Sequence, residues 1–276
     1  MKKRIVQVLT IALALLAVVL IHRRVRYETE EAAKLASAVT AEQSEETALP
    51  ADAAHAAPVL RLGEGVTLGT MAENAELGGV NITVTSEDGT ETVYTFTDVA
   101  EGAWYADAVN FAVSAGLMSG VGDKQVFHPN YGVLRETFAS ILYRYAKGEP
   151  AAKKLTLDDV PEDAWYHDAV TWAVNSGLLM PASGQTFGVG EYMTCEQALI
   201  VLYRLAGEPE TDGSLAEYPY AAKVSEYGRS AVDWAWKNGL ITEDDIIENE
   251  CVWYPTQAIS RAQVALLLTR FSEKNL

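Results

Sequence analysis

Two stretches of sequence decide the fold: residues 96–109 read FTDVAEGAWYADAV, and residues 157–170 read LDDVPEDAWYHDAV. Over residues 96–117, 13 of the 22 positions are identical to the positions 61 residues further along the chain. A third, more divergent stretch, YAAKVSEYGRSAVDWA, fills residues 220–235. Self-similarity at a fixed spacing indicates a repeat architecture. The predicted copies comprise residues 96–149, 157–209 and 218–273.

Each copy is predicted to begin with a helix that ends at a glycine. In the first copy, small apolar residues recur at helical spacing, and they are Ala108, Val109, Ala112 and Val113. Gly116 follows, where a left-handed backbone conformation can end the helix, and Leu117 can fold back onto its last turn. The same Gly-Leu pair recurs at residues 177–178 and 239–240.

Capping residues predict a second helix in each copy. Thr194 with Gln197, and Ser260 with Gln263, follow the capping-box pattern, in which two side chains satisfy each other's backbone N–H groups. Leu134 stands at this position in the first copy and cannot cap a helix. The apolar stripe of the helix that follows it is Phe138, Ile141, Leu142 and Tyr145.

A unit of 50–60 residues with two helices cannot bury its apolar face alone. We therefore expect the three copies to pack together as one mainly α-helical body. Because the copies satisfy one another within a single chain, we expect a monomer in solution.

The repeated motifs resemble those of S-layer homology domains, which occur as three tandem copies. The motifs are Phe-x-Asp-Val, Trp-Tyr-x-Asp-Ala-Val, Gly-Leu-x-x-Gly and a helix start similar to Thr-Arg-Ala-Glu. The resemblance covers about residues 96–273. It implies a pseudo-threefold spindle whose grooves between copies bind bacterial secondary cell-wall polysaccharide, often bearing ketal-linked pyruvate. It implies no catalysis, and we expect no cofactor and no metal.

The resemblance also implies which residues would bind the polysaccharide. The groove arginine of the family corresponds to Arg135 and Arg261, but Cys195 takes its place in the second copy. The early aspartate corresponds to Asp98 and Asp159. Together with the two positions described next, this departure predicts that at most one groove carries the full set of family residues.

Two further positions follow from the same comparison. Tyr220 takes the place of the aspartate in the third copy, and the loop glycine of the family has a match only at Gly120. The corresponding loops begin at Met180 in the second copy and at Thr242 in the third.

Elementary electrostatics also favours an anion site at the two arginines. Each lies in the first turn of a helix, where free backbone N–H donors and a guanidinium together form an anion-binding corner. A carboxylate such as that of a pyruvate ketal suits this corner. The alternative is that each arginine pairs with a nearby acid, Glu136 or Asp98.

Trp104 and Trp165 have two interpretations. Aromatic faces pack against pyranose rings, so both residues can line a groove and bind sugar. Alternatively, both are core anchors where one copy meets the next.

The first 95 residues are predicted to contain an export segment, a linker and a small β element. Residues 1–26 have the basic and apolar regions of a secretory signal, and residues 5–21 serve as a membrane anchor if the segment stays uncleaved. Residues 27–57 form an Ala- and Glu-rich linker. Within residues 58–95, two alternating stretches flank an Asp-Gly turn, which predicts a β-hairpin. We expect an exported protein of the cell envelope.

Composition excludes several classes of function. The 276 residues carry a net charge of −17, which argues against a nonspecific nucleic-acid binder. Two cysteines 56 residues apart form neither a disulfide framework nor a zinc site. Three functions remain: a noncatalytic wall-binding module, a structural or protein-interaction module with degenerate grooves, and a small enzyme acting on wall glycan. The first is the leading hypothesis.

Overall fold

A small antiparallel sheet and a set of helices follow one another along the chain. The computed structural model describes residues 67–74, 76–122, 125–151, 155–211, 215–247, 253–274 and 276. The predicted export segment and linker lie outside these residues. None of the helices in the described part is both long and apolar enough to cross a bilayer.

The sheet has three strands in the order β1-β2-β3, and they are β1 Thr70–Asn74, β2 Gly79–Thr85 and β3 Glu91–Phe96. Strands β2 and β3 form the predicted hairpin, with Val80 opposite Phe96. The structure adds a third strand to the predicted hairpin, because β1 pairs antiparallel with β2. The sequence of β1, TMAEN, offers Met71 as its one large apolar side chain, so it shows no alternating pattern.

The described residues contain seven α-helices, which agrees with a mainly α protein. They are α1 Ala106–Ser114, α2 Arg135–Tyr145, α3 His167–Asn175, α4 Cys195–Leu205, α5 Arg229–Lys237, α6 Glu243–Ile247 and α7 Arg261–Glu273.

Helices α1, α3 and α5 end in the same glycine cap. Gly116, Gly177 and Gly239 have φ angles of 68°, 68° and 64°. In each case the leucine that follows donates its N–H to the carbonyl five residues earlier, at 2.9, 2.9 and 2.8 Å. This is the predicted Schellman motif, and it is confirmed in all three helices.

The starts of α2, α4 and α7 are held by the neighbouring copy. Both predicted capping boxes are present, at Thr194 and Ser260, whereas Leu134 provides no side-chain cap. The first N–H of each helix donates to a carbonyl of a distant loop at 2.8–2.9 Å, and these pairs are Arg135 with Glu191, Cys195 with Gln257, and Arg261 with Tyr131. These bonds satisfy N–H groups that a helix cannot satisfy itself.

Three residues just before these helices close a ring of backbone hydrogen bonds. Val133 donates its N–H to Ile259 at 2.9 Å, Ile259 donates to Met193 at 2.8 Å, and Met193 donates back to Val133 at 2.9 Å. All three residues are buried. We call these residues the backbone ring.

Helix packing follows the same order. Helix α2 packs against α3, α4 against α5, and α7 against α1. The predicted apolar stripe of α2 is buried, as are the small apolar residues of α1. Most buried apolar side chains belong to one continuous cluster, so the helices share a single core.

The sheet lies against α1 and contributes to that core. Val80, Ile82 and Phe96 are fully buried, and the Phe96 ring meets the Phe127 ring edge-on at 5.6 Å. The sheet is therefore an integral part of the helical body.

A buried ion pair stabilises the last predicted copy. Asp245 is 1% exposed and accepts two hydrogen bonds of 2.7 Å from Arg270, and a third of 3.0 Å from the Trp253 indole. Burial alone would raise the pKa of Asp245, but the bonds from Arg270 outweigh burial and hold the pKa below its ordinary value.

We expect Asp245→Asn to lower the free energy of unfolding by about 3 kcal/mol, because it leaves a half-buried guanidinium without its counter-charge. The folded-state pKa lies below the unfolded value of about 4. The stabilisation is thus fully present above about pH 4 and is lost as the pH falls through the folded-state pKa. Urea unfolding between pH 3 and 7 measures both effects, and Asp244→Asn, at an exposed neighbour, is the control.

We also expect Thr194→Ala to lower the free energy of unfolding by about 1 kcal/mol, because it removes the hydroxyl that accepts the Gln197 N–H. Thr194→Ser keeps that hydroxyl and should unfold at nearly the wild-type urea concentration. Equal losses in the two variants would show that the cap contributes nothing.

Candidate functional site

The two predicted arginines each reach across to a loop of the next copy. Arg135 donates from Nε to the Phe187 carbonyl at 3.0 Å and from Nη2 to the Met180 carbonyl at 2.6 Å. Its guanidinium carbon lies 4.8 Å from the centre of the Phe187 ring, and the residue is only 6% exposed. We call this contact the second junction, after the copy that supplies the loop.

Arg261 makes the same arrangement with the first copy, at the first junction. Its Nε donates to the Phe127 carbonyl at 2.7 Å, and its Nη2 donates to the Ser119 carbonyl at 2.6 Å. The guanidinium lies 4.5 Å from the centre of the Phe127 ring. Arg261 is half-buried, so this guanidinium is the more accessible of the two.

Both guanidiniums donate these hydrogen bonds to neutral backbone carbonyls. Burial lowers the pKa of Arg135, against the opposing charges of Glu191 and Asp159. Burial likewise lowers the pKa of Arg261, and Asp98 opposes this. Glu136, predicted as a possible partner of Arg135, also opposes the lowering of the Arg135 pKa and accepts the Gly190 N–H at 3.1 Å. The first and second junctions therefore each hold a partly desolvated cation.

The predicted aspartates accept hydrogen bonds from the same two loops. Asp98 accepts the N–H groups of Phe127 and His128, both at 2.7 Å. Asp159 accepts three N–H groups of its loop, at 2.7–2.8 Å, from Phe187, Gly188 and Val189. Burial would raise the pKa of Asp159, but these N–H groups lower it overall. Arginine and aspartate thus meet on one loop segment at each of the two junctions.

Gly120 lies at the edge of the first junction. It follows Ser119, whose carbonyl Arg261 holds, and it is half-buried. At the second junction the corresponding carbonyl belongs to Met180, and Pro181 follows it.

The two predicted tryptophans differ in their exposure. Trp104 is half-buried and packs against the core. Trp165 is 66% exposed, with its ring edge-on to Tyr166 at 5.2 Å. The core interpretation fits Trp104 and is wrong for Trp165, whose face is open to solvent.

A stacked pair at the first junction was not predicted as functional. The rings of His128 and Tyr131 lie 4.2 Å apart and nearly parallel, and Tyr131 is 62% exposed. His128 Nδ1 lies 3.8 Å from the Asp98 carboxylate. The sequence signal that could have indicated this pair is the Phe-His-Pro stretch at residues 127–129.

The third junction is the contact between Cys195 and the loop that contains Gln257. It lacks the arginine, and a tyrosine takes its place. Cys195 is buried, and the Tyr218 hydroxyl donates to the carbonyl of Trp253. Trp253 corresponds in sequence to Phe127, so this carbonyl matches one that an arginine holds elsewhere. Sequence reasoning missed Tyr218 because, two residues before Tyr220, it stands at the position of Phe96, which predicts a core residue and not a partner of the loop.

No group of three or more side chains able to hold a metal ion occurs in the described part of the chain. At the first and second junctions the arginine guanidiniums are groups that can hydrogen-bond a carboxylate or a phosphate.

Comparison with known proteins identifies the repeated unit. The family model "S-layer homology domain" matches residues 95–139 and 156–199. This domain is a noncatalytic anchoring module, and its presence agrees with the resemblance of the first two copies.

Relatives among known proteins include surface proteins and enzymes. The chain is 28% identical over 167 residues to the surface-layer 125 kDa protein of Lysinibacillus sphaericus, covering 60% of this chain and 14% of that protein. It is 29% identical over 161 residues to a cell surface protein of Thermoanaerobacter kivui, covering 55% and 20%. It is 22% identical over 185 residues to an exoglucanase of Acetivibrio thermocellus, covering 66% and 16%.

The chain thus spans at most a fifth of the length of these three relatives. Residues 95–139 and 156–199 are therefore similar to the S-layer homology domain.

Proposed function

We propose that this protein is a noncatalytic cell-envelope anchor that binds secondary cell-wall polysaccharide, pyruvylated in its anionic form, at the junctions between three S-layer homology copies. Residues 218–273 form the third copy in this proposal. The three copies form a pseudo-threefold spindle, which the backbone ring and the cyclic helix packing support.

The observation that carries the proposal is the placement of Arg135 and Arg261. Each guanidinium is fixed over a phenyl ring by two hydrogen bonds to carbonyls, which use two of its five N–H groups. A partly desolvated cation with further donors is stabilised by an anion that accepts them. A ketal-linked carboxylate has the charge and the oxygen geometry for that role.

The placement of the two arginines also explains how a negatively charged chain can bind an anionic polymer. A protein of net charge −17 repels an anionic polymer at long range. At 0.15 M salt this repulsion is screened beyond about 8 Å, so local contacts decide the affinity. The guanidiniums provide the attraction, and the exposed rings of Trp165 and Tyr131 offer faces on which a pyranose can pack.

Residues 1–57 fit the role of a cell-envelope anchor. Residues 1–26 export the protein and, if residues 5–21 stay uncleaved, tether it to the membrane. The linker at residues 27–57 would then carry the helical body toward the wall, so that the protein joins two layers of the envelope. The alternative is a structural or protein-interaction module at the cell surface whose junctions bind no sugar.

We expect the full-length protein to co-sediment with intact Gram-positive cell walls and to stay in solution with walls chemically stripped of their accessory polysaccharide. Arg261→Gln should weaken binding about tenfold or more, since a hydrogen bond to a charged group contributes about 1.5–3 kcal/mol. Arg229→Gln removes the same charge from an exposed site and should bind like wild type.

Binding that survives stripping would identify another wall component as the ligand. Failure to bind either wall sample would contradict the anchoring function and favour the structural alternative.

A further inference from the structure

The third junction differs from the other two in the group that holds its loop. Cys195 begins α4 at the same backbone position at which Arg135 begins α2 and Arg261 begins α7. The Cys195 side chain is 1% exposed and buried in the core. Tyr218, 2% exposed, supplies the hydrogen bond to the loop carbonyl that an arginine supplies at the other two junctions.

This replacement removes a positive charge. Burial raises the pKa of the Tyr218 hydroxyl, so the phenol remains protonated and neutral at any physiological pH. It can hold the Trp253 carbonyl as a donor, but it offers nothing cationic to a ligand. Tyr220, which takes the place of the aspartate, carries a phenol in place of a carboxylate.

A carboxylate lies at the third junction, as Glu136 does after Arg135, but the residue before it is Cys195 and not an arginine. Glu196 follows Cys195 and is 6% exposed. Its two oxygens accept the N–H of Ser225 at 2.9 Å and the hydroxyl of the same residue. The Glu196 carboxylate therefore lies beside the position from which the guanidinium is missing.

We propose that the third junction excludes anionic ligands, because a neutral tyrosine, Tyr218, holds its loop where an arginine would and Glu196 lies beside it. The protein then binds an anionic sugar at two junctions, those of Arg135 and Arg261. An incoming carboxylate would meet the charge of Glu196 in a partly buried place, where water screens repulsion weakly. This inference rests on the proposed function and specifies which of its junctions bind.

Equilibrium dialysis of the full-length protein tests the inference by counting bound ligands. The probe is a methyl pyranoside that carries one 4,6-linked pyruvate ketal. We expect two molecules bound per chain at saturation, one in Arg135→Gln, one in Arg261→Gln and none in the double variant. Arg229→Gln and Tyr218→Phe should each still bind two, provided that circular dichroism shows them to be folded.

The possible failures are distinguishable. Three molecules bound by wild type would overturn the exclusion while leaving the anchoring function intact. One molecule, or a loss of binding in folded Tyr218→Phe, would also overturn the two-junction account. No binding to wild type would contradict the proposed function itself.

Discussion

The body of this protein depends on a closed ring of three backbone hydrogen bonds among Val133, Met193 and Ile259. Each comes from a segment far from the others in sequence, and each both donates and accepts one bond. Buried backbone groups must be paired, so withdrawing one segment leaves an orphan donor and an orphan acceptor on the other two. None of the three segments can satisfy these groups alone, and the three must therefore form together.

The ring also decides where the charged groups lie. It brings the start of each second helix beside the loop of a neighbouring copy, which is how Arg135 reaches Phe187 and Arg261 reaches Phe127. An arginine at a helix start is unfavourable for the helix dipole. Here the carbonyls of the neighbouring loop compensate for that cost and fix the guanidinium. Each of these two contacts is thus made by a helix start and a loop that are far apart in the sequence.

Local features of the fold could be predicted from the sequence because neighbouring residues determine them. The glycine cap at Gly116 and the capping box at Thr194 are examples. The partners of the arginines could not be predicted, since they depend on which loop the fold brings close. Tyr218 was missed for the same reason: it replaces an arginine in space from a different part of its copy. Trp165 could be placed in a motif, but its exposure required the structure.

Native-state hydrogen exchange at the three ring amides tests most directly whether the copies form one cooperative unit. We predict that the N–H groups of Val133, Met193 and Ile259 exchange with the same opening free energy, equal to the free energy of global unfolding. The three values should also fall together as urea is added. A lower opening free energy at Ile259 alone would show that the last copy opens independently, and would contradict an account in which the ring holds all three together.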